Sequence, residues 1–379
     1  MNPYDDPDFD LPAPDISREE FLAWRAPRYG TRHPTDFSNP LWAWLVRSRL
    51  YAYTANERFK GPSSFTAGPM WCFHRFGTSR TVLPDGRTVY VAGEHEDYYD
   101  PDFYIYNDVI VEHPDGNLTI LGYPREDFPP TDFHSATLVG DRLVLIGNLG
   151  YLDDRRPGDT PVLELDLSTF EVRRLRTQGE GPGWISRHTA RYEPDTGQVV
   201  IQGGEVYTGA DEPMRASTDE WALDVSTWRW QRRTLREWPQ FWFTRADRQR
   251  NHLWNLRQLA WYQSVNWEKE VNEERARLTE GLGFVPDPAL LERLYQPWPD
   301  AEALAVDEDA FGIHETRIDG AVVRFDESDG LGVRVVVQGR LAGERIEALK
   351  QGLIDTLRAI EGVDWEVATL ADERSGESA

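Results

Sequence analysis

An acidic segment in the first third of the chain holds the densest group of side chains that could do chemistry. It reads Glu94-His95-Glu96-Asp97-Tyr98-Tyr99-Asp100-Pro101-Asp102, so five carboxylates and one imidazole lie within nine residues. Carboxylate oxygens suit calcium or magnesium, and a histidine beside them could hold a transition metal. Glu94, His95 and Asp97 are therefore candidate ligands of a divalent cation, although their spacing matches no known cation loop. No other cofactor is predicted.

Two other roles compete for this acidic segment. Arg155 and Arg156 lie on a loop farther along the chain and could relieve the repulsion among the carboxylates by ion pairing. The segment could also face a basic partner protein, with tyrosines as anchors, because buried aromatic side chains dominate interface energies. The binding surface predicted on that basis consists of Glu96, Asp97, Tyr98, Tyr99, Asp100, Tyr151, Arg155, Arg156 and Tyr207.

Two histidines occupy equivalent places in neighbouring parts of the sequence. His134 is followed by Ser135-Ala136, and His188 is followed by Thr189-Ala190. A pair of imidazoles near one axis could act as general acid and base. Glu94 and Arg187 would then supply a further carboxylate and an anion contact, so these four residues form the alternative catalytic set.

These candidates lie on a repeat with a spacing of 54 to 58 residues. Each copy reads strand, tight turn, strand ending in glycine, long polar loop, strand, short turn and strand. The first turns are Pro84-Asp85-Gly86, Gly140-Asp141 and Pro194-Asp195-Thr196-Gly197, and the second strands end at Gly93, Gly147 and Gly203-Gly204. Four short antiparallel strands repeated at a fixed period are typical of β-propeller blades.

The repeat resembles the Kelch motif of the galactose-oxidase central-domain-like superfamily. The fullest copy combines Arg187-His188-Thr189-Ala190, Gly203-Gly204, Trp221 and Trp228, and shorter copies are Phe133-His134-Ser135-Ala136 with Gly147 and Phe76-Gly77-Thr78-Ser79 with Gly93. The resemblance implies a mainly β fold with a Kelch-like propeller over about residues 70 to 235. It implies little about chemistry, because Kelch propellers include actin binders, ubiquitin-ligase adaptors, copper oxidases and sugar epimerases. A histidine before a small residue recurs in that family as a strand-packing element, which is the alternative to catalysis by His134 and His188.

Blade geometry predicts where a site would lie. Connections from the second to the third strand, and from one blade to the next, emerge on the same side. We call this side the loop face, and it comprises residues 94–102, 125–132, 148–159, 178–186 and 205–215. Functional loops carried by a rigid scaffold are the usual arrangement.

The whole chain divides into six predicted segments. They are an acidic flexible tail (1–16), an N-terminal helical segment (17–64), the blades (65–235), a second helical segment (236–300), a small α+β domain (301–372) and a disordered tail (373–379). Only three blades are recognisable, fewer than in known propellers, so the propeller is either incomplete or closed by other segments. Phe65–Phe73 and the strands near 318–337 are the candidates for closing it.

Local signals predict several helix boundaries. Ser17 and Glu20 fit a capping box, and Asn39-Pro40 fits a helix start that would lead to a helix ending at Gly61-Pro62. Leu253 to Leu278 reads as one continuous helix.

Composition limits the partners. The chain of 379 residues carries 41 basic and 65 acidic side chains, a net charge of −24, which disfavours nucleic acid and anionic membranes as partners. Eight arginines interleaved with tryptophans between Arg229 and Arg257 could stack on single-stranded nucleic acid, but internal packing would produce the same composition. Cys72 is the only cysteine, the N-terminus lacks a signal peptide and no apolar run could span a membrane, so we expect a cytoplasmic protein.

Two functions are consistent with these residues. The first is a non-catalytic module that presents the acidic, tyrosine-rich loop face to a protein partner with a basic surface. The second is an enzyme that acts on a sugar or other small polar molecule at the propeller mouth, using His134 and His188 with nearby acids. Because nucleophile elbows, phosphate loops, dinucleotide fingerprints and zinc-protease motifs are absent from the sequence, we expect the first function rather than the second.

Overall fold

The protein is known from a computed structural model that describes residues 7–96, 101–210, 212–306, 312–327 and 330–370. The chain divides into two compact units, Met1–Leu235 and Arg236–Ala379. The described residues form a mainly β fold, with several antiparallel sheets and eight α-helices. None of these helices combines the length and the apolar character that crossing a membrane requires.

Four helices precede the strands of the first unit. They are α1 (Arg18–Trp24), α2 (Pro40–Ser48), α3 (Ala52–Arg58) and α4 (Ser64–Ala67). The predicted capping box is confirmed, because the Ser17 hydroxyl accepts the Glu20 amide at 3.2 Å and the Glu20 carboxylate accepts the Ser17 amide at 2.8 Å. The predicted start of α2 is also confirmed, since Asn39 Oδ1 accepts the Trp42 amide at 2.9 Å.

The predicted end of that helix is wrong. α2 ends at Ser48, its C-cap residue Arg49 has a φ of 55° in the left-handed region, and α3 follows as a separate helix. The proposed closing strand at Phe65–Phe73 is also wrong, because this segment contains the single turn of α4 and then an irregular stretch. Met70–Phe73 is buried in the core beneath the N-terminal helices, so its apolar side chains serve packing rather than strand pairing.

Eighteen strands lie in the described part of the first unit. They are β1 (Thr35–Asp36), β2 (Ser79–Val82), β3 (Thr88–Val91), β4 (Glu94–His95), β5 (Tyr104–Ile105), β6 (Asp108–Glu112), β7 (Leu118–Gly122), β8 (Ser135–Val139), β9 (Arg142–Ile146), β10 (Val162–Asp166), β11 (Val172–Arg174), β12 (Trp184–Ser186), β13 (Thr189–Glu193), β14 (Gln198–Gln202), β15 (Glu205–Tyr207), β16 (Arg215–Ala216), β17 (Trp221–Asp224) and β18 (Arg229–Arg232).

Three of the sheets contain the same four-stranded meander. Their strand orders are β1-β7-β6-β3-β2, β11-β10-β9-β8 and β13-β14-β17-β18. Each sheet thus contains four neighbouring antiparallel strands, and β1 adds a fifth strand to the first sheet. The first strands of neighbouring meanders, β2, β8 and β13, lie beside one another. The small sheets β4-β5 and β12-β15-β16 are formed by segments of the connecting loops. Buried aliphatic side chains such as Leu143, Leu145 and Leu165 fill the space between the first two meanders.

The second unit is an α+β structure with its own core. Its elements are β19 (Gln240–Arg245), α5 (Leu253–Ser264), α6 (Glu268–Leu282), α7 (Leu290–Tyr295), β20 (Glu302–Leu304), β21 (Ile313–Ile318), β22 (Ala321–Asp326), β23 (Gly332–Gln338), α8 (Gly343–Glu361) and β24 (Trp365–Thr369). The sheet order is β20-β21-β22-β23-β19-β24. Phe243, Val335 and Leu353 belong to one buried cluster that unites the sheet with the helices.

The prediction of one helix from Leu253 to Leu278 is wrong. The chain forms α5 and α6 instead, and Asn266 between them has a φ of 56°. Asparagine tolerates this left-handed conformation better than most residues, so it ends one helix and redirects the chain. β19 was not predicted, although its alternation of buried Phe241 and Phe243 with less buried neighbours is a strand pattern.

Candidate functional site

The candidate site in the first unit is built around the side chains of Glu94 and Asp132. Glu94 opens β4, directly after Gly93, whose φ is +99°. A Cβ at Gly93 would lie 2.8 Å from Thr78 Cβ, so only glycine fits this turn. The Glu94 backbone exchanges two hydrogen bonds of 2.8 Å with Phe76, which holds the residue at the start of the loop.

Asp132 is clamped from both sides on the connection that leads into β8. Its backbone amide donates to Asn148 Oδ1 at 2.9 Å, and its Oδ1 accepts the Gly150 amide at 2.6 Å. The residue is fully buried. These contacts fix the carboxylate relative to the loop that follows β9.

The side chains of Glu94 and Asp132 lie close enough to interact electrostatically, and we call them the carboxyl pair. Burial, reinforced by the charge of Asp132, raises the pKa of Glu94 to about 7, and burial also raises the pKa of Asp132. Asp132 Oδ2 is buried and has no hydrogen-bond partner among the described residues. Two neighbouring carboxylates cannot both be ionised at low cost, which agrees with the direction of both pKa shifts.

Two arginines act on this carboxyl pair. Arg187 and Arg155 both interact electrostatically with Glu94 and Asp132. The Arg187 guanidinium is 46% exposed, stacks over the Phe133 ring at 3.6 Å and lies 3.7 Å from Glu205 Oε2. Its side chain is thus partly exposed and has Glu205 as its ion-pair partner.

Arg155 is less exposed than Arg187, and its guanidinium group is held by the backbone. Its Nε and Nη2 donate to the Gly150 carbonyl at 3.2 and 3.1 Å, and its guanidinium lies 5.5 Å from the centre of the Tyr207 ring. Burial lowers the pKa of Arg155. The arrangement places the carboxyl pair beside two guanidinium groups, which together can bind hydroxyl and anionic groups of one ligand.

The two candidate catalytic histidines are buried between the meanders. His134 Nε2 lies 2.9 Å from Ser79 Oγ, and His188 Nε2 lies 2.9 Å from Ser135 Oγ. Burial lowers the pKa of His134 to about 3 and that of His188 to about 4. Neither imidazole hydrogen-bonds the carboxyl pair. Each ring therefore links the first strands of two neighbouring meanders, a geometry that favours packing over proton transfer.

The predicted binding surface is described only in part. Asp97, Tyr98, Tyr99 and Asp100 lie outside the described residues, and Glu96 is exposed. The Tyr151 hydroxyl accepts the Ile105 amide at 2.9 Å, and Tyr207 is buried. Arg156 donates to the carbonyls of Asp153 and Arg155 at 2.7 and 2.8 Å. Tyr151 and Tyr207, the two tyrosines of this surface that the structure describes, thus make contacts within the chain.

The histidine of the acidic segment is held within the fold. His95 Nδ1 lies 3.0 Å from the His74 carbonyl oxygen, and His95 Nε2 lies 3.2 Å from Asp102 Oδ2. Burial opposes its charged form, but Cys72 and Asp102 outweigh this and raise the pKa of His95 to about 11. In the candidate metal set, Glu94 interacts electrostatically with Asp132, and Asp97 lies outside the described ranges. Among the residues that are described, no three His, Cys, Asp or Glu side chains are grouped to hold a metal.

The arginine-rich segment is engaged with acids inside each unit. Arg232 pairs with Asp219, and Arg233 pairs with Glu193 at 2.6 Å in the first unit. In the second unit, Arg245 pairs with the buried Glu361 at 2.5 Å. These contacts favour the packing interpretation of this composition over nucleic-acid stacking.

Sequence reasoning missed Asp132, the central residue of the site. Asp132 directly precedes Phe133-His134, just as Ser186 precedes Arg187-His188, so it ends the connection into a first strand. That position was the available signal, because residues at the ends of such connections share the loop face. Its proximity to Glu94 depends on how two meanders pack.

Comparisons with known proteins give a weak likeness to β-rich structures. No protein-family model and no curated protein matches the chain. It resembles YjhT with 16% identity and a TM-score of 0.31, over 41% of this chain and 54% of that one. It resembles a fungal alcohol oxidase of the AA5 family, solved in complex with copper, with 12% identity and a TM-score of 0.28, over 42% of this chain and 44% of that one. The chain spans about half the length of these solved structures.

Proposed function

We propose that the first unit binds a small polar molecule that carries hydroxyl groups and an anionic group, at the Glu94–Asp132 carboxyl pair. The observation that carries this proposal is that the partly buried Glu94 and the buried Asp132, both with raised pKa values, interact with each other and with Arg155 and Arg187. A carboxyl pair both donates and accepts hydrogen bonds, which suits hydroxyl groups, and guanidinium groups suit carboxylate or phosphate. Strongly perturbed carboxyls gather at functional sites more often than elsewhere.

We also propose that the three meanders are blades of an incomplete Kelch-like propeller. The support is their common strand order, the proximity of β2, β8 and β13, and the two histidine–serine contacts between first strands. In a propeller the first strands line the central axis. Glu94 follows a second strand, whereas Asp132 and Arg187 precede first strands, so all three would meet at the mouth on the loop face.

The same pair could support proton transfer to a bound ligand. With a pKa of about 7, Glu94 is near half-protonated at neutral pH. It can therefore give its proton to a ligand oxygen, and in its ionised form Asp132 can accept a proton from a ligand hydroxyl. This places the acid–base role on Glu94 and Asp132 rather than on the two buried histidines.

A matched pair of ligands tests the proposal. Glucose and glucuronate share a hydroxylated ring, and only glucuronate carries a carboxylate. We expect thermal-shift and calorimetric titrations to show binding of glucuronate and much weaker binding of glucose. Glu94→Gln and Arg187→Gln should each weaken the binding, whereas Glu96→Gln, an exposed neighbour, should not. Equal binding by Glu94→Gln and the unaltered chain would rule out the carboxyl pair as the site.

A second proposal keeps the loop face as a surface for a basic protein partner. Its support is the exposure of Glu96, Asp153 and Asp159, three acids on the loop face. Such charges accelerate association with a basic protein, and salt weakens their effect. Affinity purification should recover a partner that Glu96→Lys combined with Asp97→Lys loses and that Asp195→Lys, in an opposite tight turn, retains. A partner retained by all variants would exclude steering by this segment.

A further inference from the structure

The first unit contains a separate pocket of about 490 Å³ on the loop face. Its floor includes Leu163 of β10, Trp184 of β12 and Asn148 of the loop after β9. Its rim carries Arg125, Glu126, Asp154, Arg156, Asp159 and Arg174. Glu94, Asp132, Arg155 and Arg187 do not line it, so it is distinct from the carboxyl pair.

The polar groups of Trp184 and Asn148 on the floor of the pocket already form hydrogen bonds within the chain. Trp184 is buried and donates through Nε1 to the Leu149 carbonyl at 3.2 Å. Asn148 is also buried, with its Nδ2 donating to the Pro130 carbonyl and its Oδ1 accepting the Asp132 amide, both at 2.9 Å. A ligand would therefore gain apolar contact from the floor and polar recognition from the rim.

The rim carries equal numbers of positive and negative side chains. Arg125 Nη2 and Asp154 Oδ2 are already paired at 2.6 Å, and among the described residues Arg156 donates to the backbone carbonyls of Asp153 and Arg155 alone. In the part of the chain that the structure describes, the side chains of Glu126, Asp159 and Arg174 form no ion pair. Two guanidinium groups and two carboxylates thus remain available on an electrically balanced rim.

We propose that this pocket binds a small zwitterion, of the size and charge of a dipeptide. A ligand with both charges can pair with Arg156 or Arg174 at one end and with Glu126 or Asp159 at the other. A ligand of one sign would satisfy half of the rim and repel the other half. The volume falls within the range of small-molecule sites.

Calorimetric titration of the full chain with alanyl-leucine tests this proposal. The matched controls are N-acetyl-alanyl-leucine, which lacks the cation, and alanyl-leucinamide, which lacks the anion. We expect alanyl-leucine to bind and each capped form to bind at least about tenfold more weakly, equivalent to about 1.4 kcal/mol. No heat of binding at 10 mM alanyl-leucine, or equal binding of the capped forms, would overturn the proposal.

Variants locate the site. Arg174→Gln and Glu126→Gln should each weaken alanyl-leucine binding at least fivefold. Arg173→Gln is the matched control, because successive strand residues point to opposite faces and Arg173 pairs with Glu164 at 2.6 Å. Glu94→Gln should leave this binding unchanged, which separates the pocket from the carboxyl pair. Equal losses in Arg173→Gln and Arg174→Gln would place the ligand elsewhere.

Discussion

Replacing Glu94 by glutamine should change how the stability of the chain depends on pH. The pKa of Glu94 is raised from 4.5 to about 7, chiefly by burial. The folded chain therefore holds this proton more tightly than the unfolded chain does. Its contribution is fully favourable below about pH 4.5, is lost as the pH rises toward 7 and is constant above that.

The pKa difference sets the size of the effect. At about 1.4 kcal/mol per pKa unit, the difference between 4.5 and about 7 corresponds to at most about 3.5 kcal/mol. Glu94 is only partly buried, so solvent screening lowers the expected loss to about 1 to 3 kcal/mol. In Glu94→Gln the amide can donate to Asp132 at every pH, so the loss should disappear.

Urea unfolding of both proteins at pH 5.0 and pH 8.0 measures this difference. We expect Glu94→Gln to gain about 1 to 2 kcal/mol relative to the unaltered chain between pH 5.0 and pH 8.0, because part of the loss is already complete at pH 5.0. Glu96→Gln serves as the control, because Glu96 is exposed. Parallel pH profiles of Glu94→Gln and the unaltered chain would refute the raised pKa of Glu94.

Three further predictions test the packing around the site. Burial lowers the pKa of His188 to about 4, below its unfolded value of 6.5, so the free energy of unfolding should fall as the pH drops from 6.5 toward 4. In His188→Gln, the midpoint of urea unfolding should depend less on pH over this range. Asp108→Ala should lower the free energy of unfolding in urea by about 3 to 5 kcal/mol, because the buried Arg75 loses its hydrogen bonds of 2.5 and 2.9 Å to Asp108. Asp85→Ala should lower it much less, because the Asp85–Arg87 ion pair is more exposed. Gly147→Ala should have a much lower melting temperature than Gly140→Ala. Both glycines have a positive φ, but only a Cβ at position 147 would meet a backbone oxygen, that of Ile185 at 2.3 Å. Equal melting temperatures of the two variants would contradict this.

Features set by neighbouring residues could be predicted from the sequence. The capping box of Ser17 and Glu20 and the start of α2 at Pro40 are local hydrogen-bond patterns that need no partner elsewhere. The predicted helix of the second unit failed at Asn266 because apolar spacing does not register a single left-handed residue. β19 escaped prediction since its pairing partners, β23 and β24, lie far along the chain.

The sequence by itself determined the mainly β character, the repeat and the loops that carry the candidate residues, because alternation of buried residues and glycine turns act over a few positions. Only the tertiary structure decided which side chains meet. It joined Glu94 to Asp132 and buried His134 and His188 between meanders. The physical reason is that pKa values depend on burial and on contacts between distant segments, which no local pattern of residues specifies.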